Sequence, residues 1–254
     1  MSDYTKILYK LDGVIAHIIL NRPEKRNALD DTIVAEIKLA LKAANEDREI
    51  RVVAIEGAGT DFCSGADLSV LQKIARSSII ENLEDTGLLM ELFVQIRNLT
   101  KPVVAVVRGR ALAGGCGIAT ACDLILASET AQFGYPEVKI GFIPAMVMAI
   151  LRRSVSEKRA FELVTSGEPV SASEAERIGL INQVYPDSEF DSKVAEYLSA
   201  LTHKSASAVF LTKRLLYQMD GMSFETALKS GMDANTICRV TEDCQQGIAR
   251  FLKK

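Results

Sequence analysis

The segment FGYPEVKIGFIP (133–144) contains one acidic side chain, Glu137, among mostly apolar residues. A single carboxylate can carry a proton between two carbons of a substrate, which is general acid–base chemistry. The alternative is a structural one, because a carboxylate in the first turn of a helix is favoured by the helix macrodipole. The residues alone leave both interpretations open.

A second candidate lies in VVAVVRGRALAGGCGIATACDLILAS (103–128), where a buried strand after Pro102 is followed by very small residues. Side chains this small let another backbone or a ligand approach the main chain. If a helix begins near Gly114, its free N–H groups can bind a carbonyl oxygen or an anion. Tight packing of the helix on a sheet is the alternative.

The polar loop NRPEKRNALD (21–30) places two cations, Lys25 and Arg26, side by side. As ligand contacts they would act as a point charge and a fork near the anionic end of a ligand. A loop whose charges are simply solvated is the alternative. A third loop, GAGTDFCSGADL (57–68), also follows a strand and also leads towards a helix.

These residues need strands and helices to position them, and the pattern predicts both. Residues 5–20 indicate a hairpin at Asp12-Gly13, and a helix should begin after Asp30 or Asp31 with apolar residues at helical spacing. Strands are expected at Arg51–Glu56, Val103–Val107 and Leu180–Tyr185, with an amphipathic helix over 81–99. From about residue 190 the pattern is helical throughout. The alternation predicts an α/β fold whose strand-end loops carry the site.

Composition excludes several classes of protein. The chain has 254 residues with 48% apolar and 25% charged residues, which is typical of a globular domain. A net charge of −3 provides no basic field for nucleic acid or an anionic membrane. Five cysteines without a CxxC pair favour reduced thiols over a zinc site or a disulfide framework. Because the first residues lack the apolar core of a signal peptide, we expect a cytoplasmic location.

Motifs exclude further chemistries. The sequence contains neither GxxxxGK[ST] nor GxSxG, which are typical of phosphate-binding loops and serine hydrolases. Gly115-Cys116-Gly117 is a weak match to a dinucleotide fingerprint, but Thr120 stands where the third glycine belongs. His17 lies in a strand without an evident catalytic partner, and Asp123 begins a strand and is interpreted as structural.

Taken together, FCSGADL (62–68), ALAGGCGIATACDLILAS (111–128) and FGYPEVKIGFIP (133–144), with NRPEKRNAL near the start, resemble the crotonase superfamily of enoyl-CoA hydratases and isomerases. The resemblance covers nearly the whole chain. It implies an α/β crotonase (ClpP/crotonase-like) fold, in which repeated ββα units form a spiral core over residues 1–195. Residues 196–254 would form a C-terminal helical trimerisation region, giving a homotrimer or a dimer of trimers.

The resemblance also implies roles for individual residues. The backbone N–H groups of Ala66 and Gly114 would form an oxyanion hole for a thioester carbonyl, and Glu137 would be the acid–base group. The coenzyme A portion of the substrate would be contacted by residues of the two preceding loops, namely Lys25, Arg26, Ala28, Asp67 and Leu68. No cofactor beyond that coenzyme A and no metal is expected, and fatty acid metabolism is the implied setting.

Gly117 marks a departure from the two-glutamate pattern of typical hydratases, because it occupies the position of the first glutamate. Double-bond shift of a 3-enoyl-CoA needs one carboxylate, whereas hydration of a 2-enoyl-CoA also asks for water activation. Segments similar to GYPEVKIGF nonetheless occur in members called hydratases. Hydration and isomerisation therefore both stay open, as do another crotonase reaction on a CoA thioester and a non-catalytic acyl-CoA-binding subunit.

Overall fold

Nine β-strands and eleven α-helices form the part of the chain that the computed structural model describes, residues 4–253. The strands are β1 (Ile7–Asp12), β2 (Ile15–Leu20), β3 (Val52–Gly57), β4 (Val103–Val107), β5 (Arg110–Leu112), β6 (Leu124–Ser128), β7 (Gln132–Gly134), β8 (Val170–Ser171) and β9 (Gln183–Tyr185). The helices are α1 (Asp31–Glu46), α2 (Leu68–Ile74), α3 (Ile79–Asn98), α4 (Gly114–Ala121), α5 (Ala145–Ser154), α6 (Glu157–Ser166), α7 (Ala172–Arg177), α8 (Phe190–Thr202), α9 (Ala206–Gln218), α10 (Phe224–Arg239) and α11 (Glu242–Leu252).

Two sheets organise these elements. The larger has the strand order β1-β2-β3-β4-β6-β9, and all its neighbours are parallel except the hairpin pair β1 and β2. The smaller sheet has the order β5-β7-β8, with β5 and β7 parallel. Two bridges, Leu29 with Ala66 and Cys63 with Ala111, continue this smaller sheet through the loops. The functional loops are therefore joined to one another by strand pairing.

A strand–strand–helix unit recurs along the chain, as expected. β1, β2 and α1 form the first unit, and β4, β5 and α4 form another. In the latter, the first strand belongs to the larger sheet and the second to the smaller one, which leads the chain directly into Gly114. β6 and β7 repeat this step before the turn that carries Glu137. The α/β architecture of repeated ββα units is thus confirmed.

The core lies on both faces of the larger sheet. Alternate residues of β3 point to opposite faces: Val53 and Ile55 pack with the helices α1, α3, α4 and α5, whereas Val52 and Ala54 face α8. β4 is buried at all five positions, as its uninterrupted apolar sequence predicts for a parallel strand. The larger sheet is thereby held rigidly beneath the loops at its strand ends.

Several sequence expectations are confirmed, and one is wrong in its limits. The hairpin, the strands β3 and β4, and a helix capped by Asp30 are present, with the Asp30 carboxylate accepting from the Ile33 N–H at 3.0 Å. The strand expected at Leu180–Tyr185 begins only at Gln183, because Leu180 and Ile181 are buried in the turn after Gly179. The division expected between residues 195 and 196 lies within α8, which packs on the larger sheet, and the division stays a prediction.

Candidate active site

The Ala66 N–H is a free hydrogen-bond donor at the end of a short extended segment. The flanking groups pair with Leu29, whose N–H donates to the Gly65 carbonyl at 2.7 Å and whose carbonyl accepts from the Asp67 N–H at 2.8 Å. Because successive N–H groups of an extended chain point to opposite sides, the Ala66 N–H points away from Leu29. Within residues 4–253 it donates to no protein acceptor.

The Gly114 N–H is the second free donor, at the first residue of α4. The helix begins there because Ala113 takes φ 48° and ψ −127°, a conformation that strains an alanine by about 1–3 kcal/mol. The Ala113 N–H holds this turn by donating to the Gly134 carbonyl at 2.9 Å. Across the described part of the chain, no protein acceptor receives the Gly114 N–H. The strained turn therefore directs a bare N–H group outward.

The two loops that carry these donors are in contact. A β-carbon placed on Gly65 would lie 2.9 Å from the Ala113 β-carbon and 3.2 Å from the Leu112 carbonyl oxygen, so only glycine allows this approach. A β-carbon placed on Gly115 would lie even closer to its neighbour, at 2.6 Å from the Cys63 β-carbon. The small residues thus have both proposed roles, since they pack the loops together and leave the main chain bare.

Glu137 lies in a 3-10 turn, Pro136–Ile140, and its carboxylate is half-buried. Its Oε2 atom is fully buried without a hydrogen-bond partner among the described residues. Burial raises the pKa of this carboxyl above its ordinary value. A half-buried carboxyl with one unpaired buried oxygen and a raised pKa is typical of a group that exchanges protons, and a merely structural first-turn acid would be solvated or paired.

A buried polar network behind Glu137 was not evident from the sequence. The Tyr135 side chain is fully buried, and its hydroxyl lies 2.7 Å from the Thr120 Oγ1. The Thr120 hydroxyl donates to the Cys116 carbonyl at 2.7 Å, so the Tyr135 hydroxyl is the donor to Thr120. Burial raises the pKa of the neighbouring Cys116 thiol to about 11. The network joins α4 to the turn that carries Glu137.

Gly117 has no room for a side chain. A β-carbon at this position would lie 2.8 Å from the Val147 Cγ2 atom and 2.9 Å from the Phe93 Cζ atom. The position of the first family glutamate is therefore enclosed by apolar side chains of α3 and α5. Within residues 4–253, the three atoms nearest to this position all belong to Val147 and Phe93.

The predicted coenzyme A contacts lie on the two loops before α1 and α2. Lys25, Arg26 and Leu68 are exposed, and the Ala28 side chain is buried.

The Asp67 carboxylate is buried and paired. It accepts from the Ser69 N–H at 3.0 Å, from Arg22 at 2.8 Å and from Lys25 at 3.1 Å. The Ser69 N–H and the two cations hold the pKa of Asp67 well below its usual range. Its carboxylate is thus engaged by the protein, and only its main chain is left to meet a ligand.

Arg22 and Asn27 are the residues of this loop that sequence reasoning missed. The Asn27 side chain is fully buried, accepts from the Arg22 N–H and donates to the carbonyls of Ala58 and Asp61. Arg26 and Asn27 both take left-handed backbone conformations, with φ near 53° and 55°. An asparagine before a small residue in a polar loop is a turn signal, but nothing in the sequence showed that it is buried.

The other candidates have structural roles. Asp123 accepts from the Val103 N–H, from Lys213 and from the Tyr217 hydroxyl, which confirms its structural interpretation and ties α9 to the larger sheet.

His17 does have a partner, the Glu56 carboxylate on β3, and that hydrogen bond raises the pKa of the imidazole. Cys63, Cys116 and Cys122 are buried free thiols.

Residues 4–253 contain no group of three or more His, Cys, Asp or Glu side chains placed to hold a metal ion. No helix among them is long and apolar enough to span a bilayer.

Free donors on touching loops and a carboxyl with one unpaired buried oxygen, carried by repeated ββα units, are the features expected of an enzyme of the crotonase class. Comparisons with known proteins agree with this assignment. The model of the family Enoyl-CoA hydratase/isomerase matches residues 11–254. The chain belongs to this family.

Individual relatives cover nearly the whole chain. It is 37% identical over 242 residues to a Thermus thermophilus protein provisionally named an enoyl-CoA hydratase, covering 95% of this chain and 96% of that one. It is 33% identical over 253 residues to the crotonyl-CoA hydratase of Syntrophomonas wolfei, covering 99% and 96%. The crystal structure of an enoyl-CoA hydratase from Mycobacterium smegmatis superposes with a TM-score of 0.93 at 28% identity, covering 98% and 96%. The protein is an acyl-CoA-processing enzyme of the hydratase/isomerase type.

Proposed function

We propose that Glu137 is the single acid–base group of this enzyme and that Ala66 and Gly114 bind the thioester oxygen. The observation that carries the proposal is the Glu137 Oε2 atom, which is buried without a partner among the described residues. The two free N–H groups on touching loops support it. Donors of this kind stabilise the negative charge that collects on the thioester oxygen, and losing one costs about 3–4 kcal/mol.

The proton balance closes with one carboxylate for both reactions. In the double-bond shift, Glu137 removes a proton from C2 of a 3-enoyl-CoA, and the enolate forms on the oxygen held by the two N–H groups. The same carboxyl then returns the proton to C4, which gives the 2-enoyl-CoA. In hydration, Glu137 takes a proton from the water that attacks C3 and delivers it to C2.

The enclosed position at Gly117 favours the shift over hydration. Phe93 and Val147 occupy the space that a second carboxylate would need to orient the water. Hydration by this chain then depends on Glu137 alone to activate the water. Hydration and isomerisation are both retained as activities, with the ratio between them as the quantity to measure.

Lys25 and Arg26 are proposed to contact the phosphates of coenzyme A, since both are exposed on a loop fixed from below by Asn27. Ala28, Leu68 and the main chain of Asp67 would lie along the rest of the coenzyme. No further cofactor is invoked. A homotrimer or a dimer of trimers is proposed because α10 and α11 leave apolar side chains exposed. A cytoplasmic location is proposed from the sequence.

The test compares the wild type with Glu137→Gln on 2-enoyl-CoA and 3-enoyl-CoA offered separately. The substitution should lower kcat for both by about 10²- to 10⁴-fold, the usual contribution of a general acid–base group, and leave coenzyme A binding intact. Glu157→Gln is the matched control, because Glu157 is an exposed first-turn acid of α6. Undiminished turnover in Glu137→Gln would remove this residue from its role.

A further inference from the structure

Arg22 makes three contacts from a nearly buried position. Its side chain is 11% exposed, and its guanidinium donates to the Ala28 carbonyl at 3.1 Å, to the Asp30 carboxylate at 2.9 Å and to the Asp67 carboxylate at 2.8 Å. These partners belong to the polar loop, to the cap of α1 and to the residue before α2. One planar side chain therefore joins the polar loop before α1 to the loop before α2.

The contacts of Arg22 lie on both sides of the Leu29–Ala66 bridge, which sets the direction of the Ala66 N–H. Ala28 precedes Leu29 in the chain and Asp67 follows Ala66, and Leu29 and Ala66 are the bridged pair. Arg22 thus holds the residue before one member of the bridge and the residue after the other. If it is lost, the bridge keeps its two backbone hydrogen bonds but loses the side-chain link across it.

The charges around Arg22 form an alternating chain. Lys6 pairs with Asp30, Arg22 pairs with both Asp30 and Asp67, and Lys25 pairs with Asp67. The two lysines are more exposed than Arg22 and each reaches a single carboxylate. Because the guanidinium is a rigid fork and an ammonium is a point charge, a lysine at position 22 cannot reproduce all three contacts.

We propose that Arg22 is a positioning residue for the oxyanion donor at Ala66. The inference rests on the proposed function of Ala66 and adds a residue that touches neither substrate nor Glu137. Arg22 sets the direction of the Ala66 N–H by fixing Ala28 and Asp67 on either side of the Leu29–Ala66 bridge. The direction of this N–H decides how strongly it polarises the thioester carbonyl.

The experiment measures polarisation directly with cinnamoyl-CoA, a chromophoric enoyl thioester. Its absorption maximum moves to longer wavelength when hydrogen bonds polarise the carbonyl. In Arg22→Lys we expect a smaller red shift of the bound probe than in the wild type. We also expect kcat for enoyl-CoA to fall by about 10- to 100-fold, because a displacement of order 1 Å at a reacting centre costs about 10²-fold. KM should stay within about threefold, since the lost interaction strengthens in the transition state.

Two further variants separate positioning from folding. Asp67→Asn keeps the shape of the side chain but removes the negative charge that pairs with Arg22. Like Arg22→Lys, it should give a smaller red shift of the bound probe than the wild type. Arg51→Gln is the matched control, because Arg51 donates to the Lys204 carbonyl at the opposite end of β3. It should lower thermal stability while keeping the full red shift and kcat.

The outcomes are distinct. A full red shift and wild-type kcat in folded Arg22→Lys and Asp67→Asn would overturn the role of Arg22. A loss of kcat that follows only the unfolded fraction, with a full red shift in the folded protein, would do the same. A wild type that neither shifts the probe nor turns over any enoyl-CoA would overturn the proposed function, and this inference with it.

Discussion

Glu137 combines two properties that a structural carboxylate would avoid. Its Oε2 atom is buried without a hydrogen-bond partner among the described residues, and burial raises the pKa of the carboxyl. A folded protein normally pairs such an atom, because an unsatisfied buried polar group costs about 1–3 kcal/mol. The cost is understandable if substrate atoms complete the contact during the reaction.

The raised pKa of Glu137 leads to a prediction for stability. Since the folded chain binds this proton more tightly than the unfolded chain, the protonated form stabilises the fold. That stability is present below the ordinary glutamate pKa of about 4.3 and is lost as pH rises through the folded pKa. Glu137→Gln should therefore melt at a higher temperature than the wild type at neutral pH and at the same temperature near the ordinary pKa.

The measurement is a series of thermal melts followed by circular dichroism across this pH range, with Glu157→Gln alongside. Asp67, whose pKa is lowered, loses its stabilising charge only under more acidic conditions, so it does not disturb the comparison. A Glu137→Gln variant that is less stable than the wild type at neutral pH would contradict the assigned burial cost.

The sequence showed which residues could do chemistry but not what holds them. Gly114 and Glu137 were both evident because a small residue and an isolated acid are unusual in apolar surroundings. Arg22 was not evident, because it lies in a polar loop. In such a loop, solvation is a sufficient explanation for a cation, as it is for Lys25. The positive φ of Ala113 was also invisible, since alanine rarely takes that conformation and the pairing with Gly134 imposes it.

At the scale of elements, α4 is pressed between α3 and α5 through Gly117. The Val147 and Phe93 side chains approach its α-carbon closely enough that a methyl group would overlap both. Such contact fixes how far the helix can slide along its axis. Because Gly114 is the first residue of the same helix, the contact also fixes the N–H group that is proposed as the second oxyanion donor.

Gly117→Ala should destabilise the protein through this contact. Overpacking in a dense core costs about 1–3 kcal/mol. The matched control is Gly87→Ala in α3, where a β-carbon meets nothing within 4 Å and alanine gains about 1 kcal/mol of helix propensity. Both substitutions gain the same helix propensity. The free energy of unfolding of Gly117→Ala, measured in urea, should therefore be about 1–3 kcal/mol lower than that of Gly87→Ala.

A second-site change checks the mechanism. Val147→Ala removes one of the two overlapping side chains, so it should cost less in the Gly117→Ala background than in the wild type. Equal effects of Val147→Ala in both backgrounds would show that α4 accommodates the methyl group by another route. Such a result would also weaken the argument that the position excludes a second carboxylate.

Elements were predicted best where the pattern was local. The hairpin and the capped start of α1 follow from turn and cap residues, and β4 follows from an uninterrupted apolar run. The strand predicted over Leu180–Tyr185 is longer than β9. Leu180 and Ile181 are apolar because they are buried in a turn, and they do not belong to the strand. The continuation of α8 across residue 195 depends on packing against the larger sheet, which a helical pattern does not specify.

On the scale of the whole molecule, the chain divides its apolar residues unevenly. Helices such as α1 and α8 bury an apolar face in the core, whereas α10 and α11 bury no residue against the rest of residues 4–253. α9 is an intermediate case, since Lys213 and Tyr217 attach it to Asp123, the residue before β6. The last two helices thus expose apolar side chains, while α9 attaches this part of the chain to the core. An exposed apolar surface of this kind is typical of a contact between copies of a chain.

The final prediction concerns assembly. Phe224, Leu228 and Met232 recur at helical spacing on α10, and each is more than half exposed in the single chain. Leu228→Glu combined with Met232→Glu should therefore reduce the solution mass from three or six chains to one, measured by size-exclusion chromatography with light scattering. Lys229→Glu is the control, because it places the same charge on the same helix at an exposed polar position.

The apolar face and the catalytic groups are on different elements, so the dissociated chain should keep the far-ultraviolet spectrum of the wild type. Circular dichroism therefore separates loss of assembly from loss of folding. A wild type that is already a single chain at micromolar concentration would refute the trimer, and so would a double variant that keeps the mass of the wild type. In either case, the exposed face of α10 would require another partner, because an apolar stripe of this length is rarely left in water.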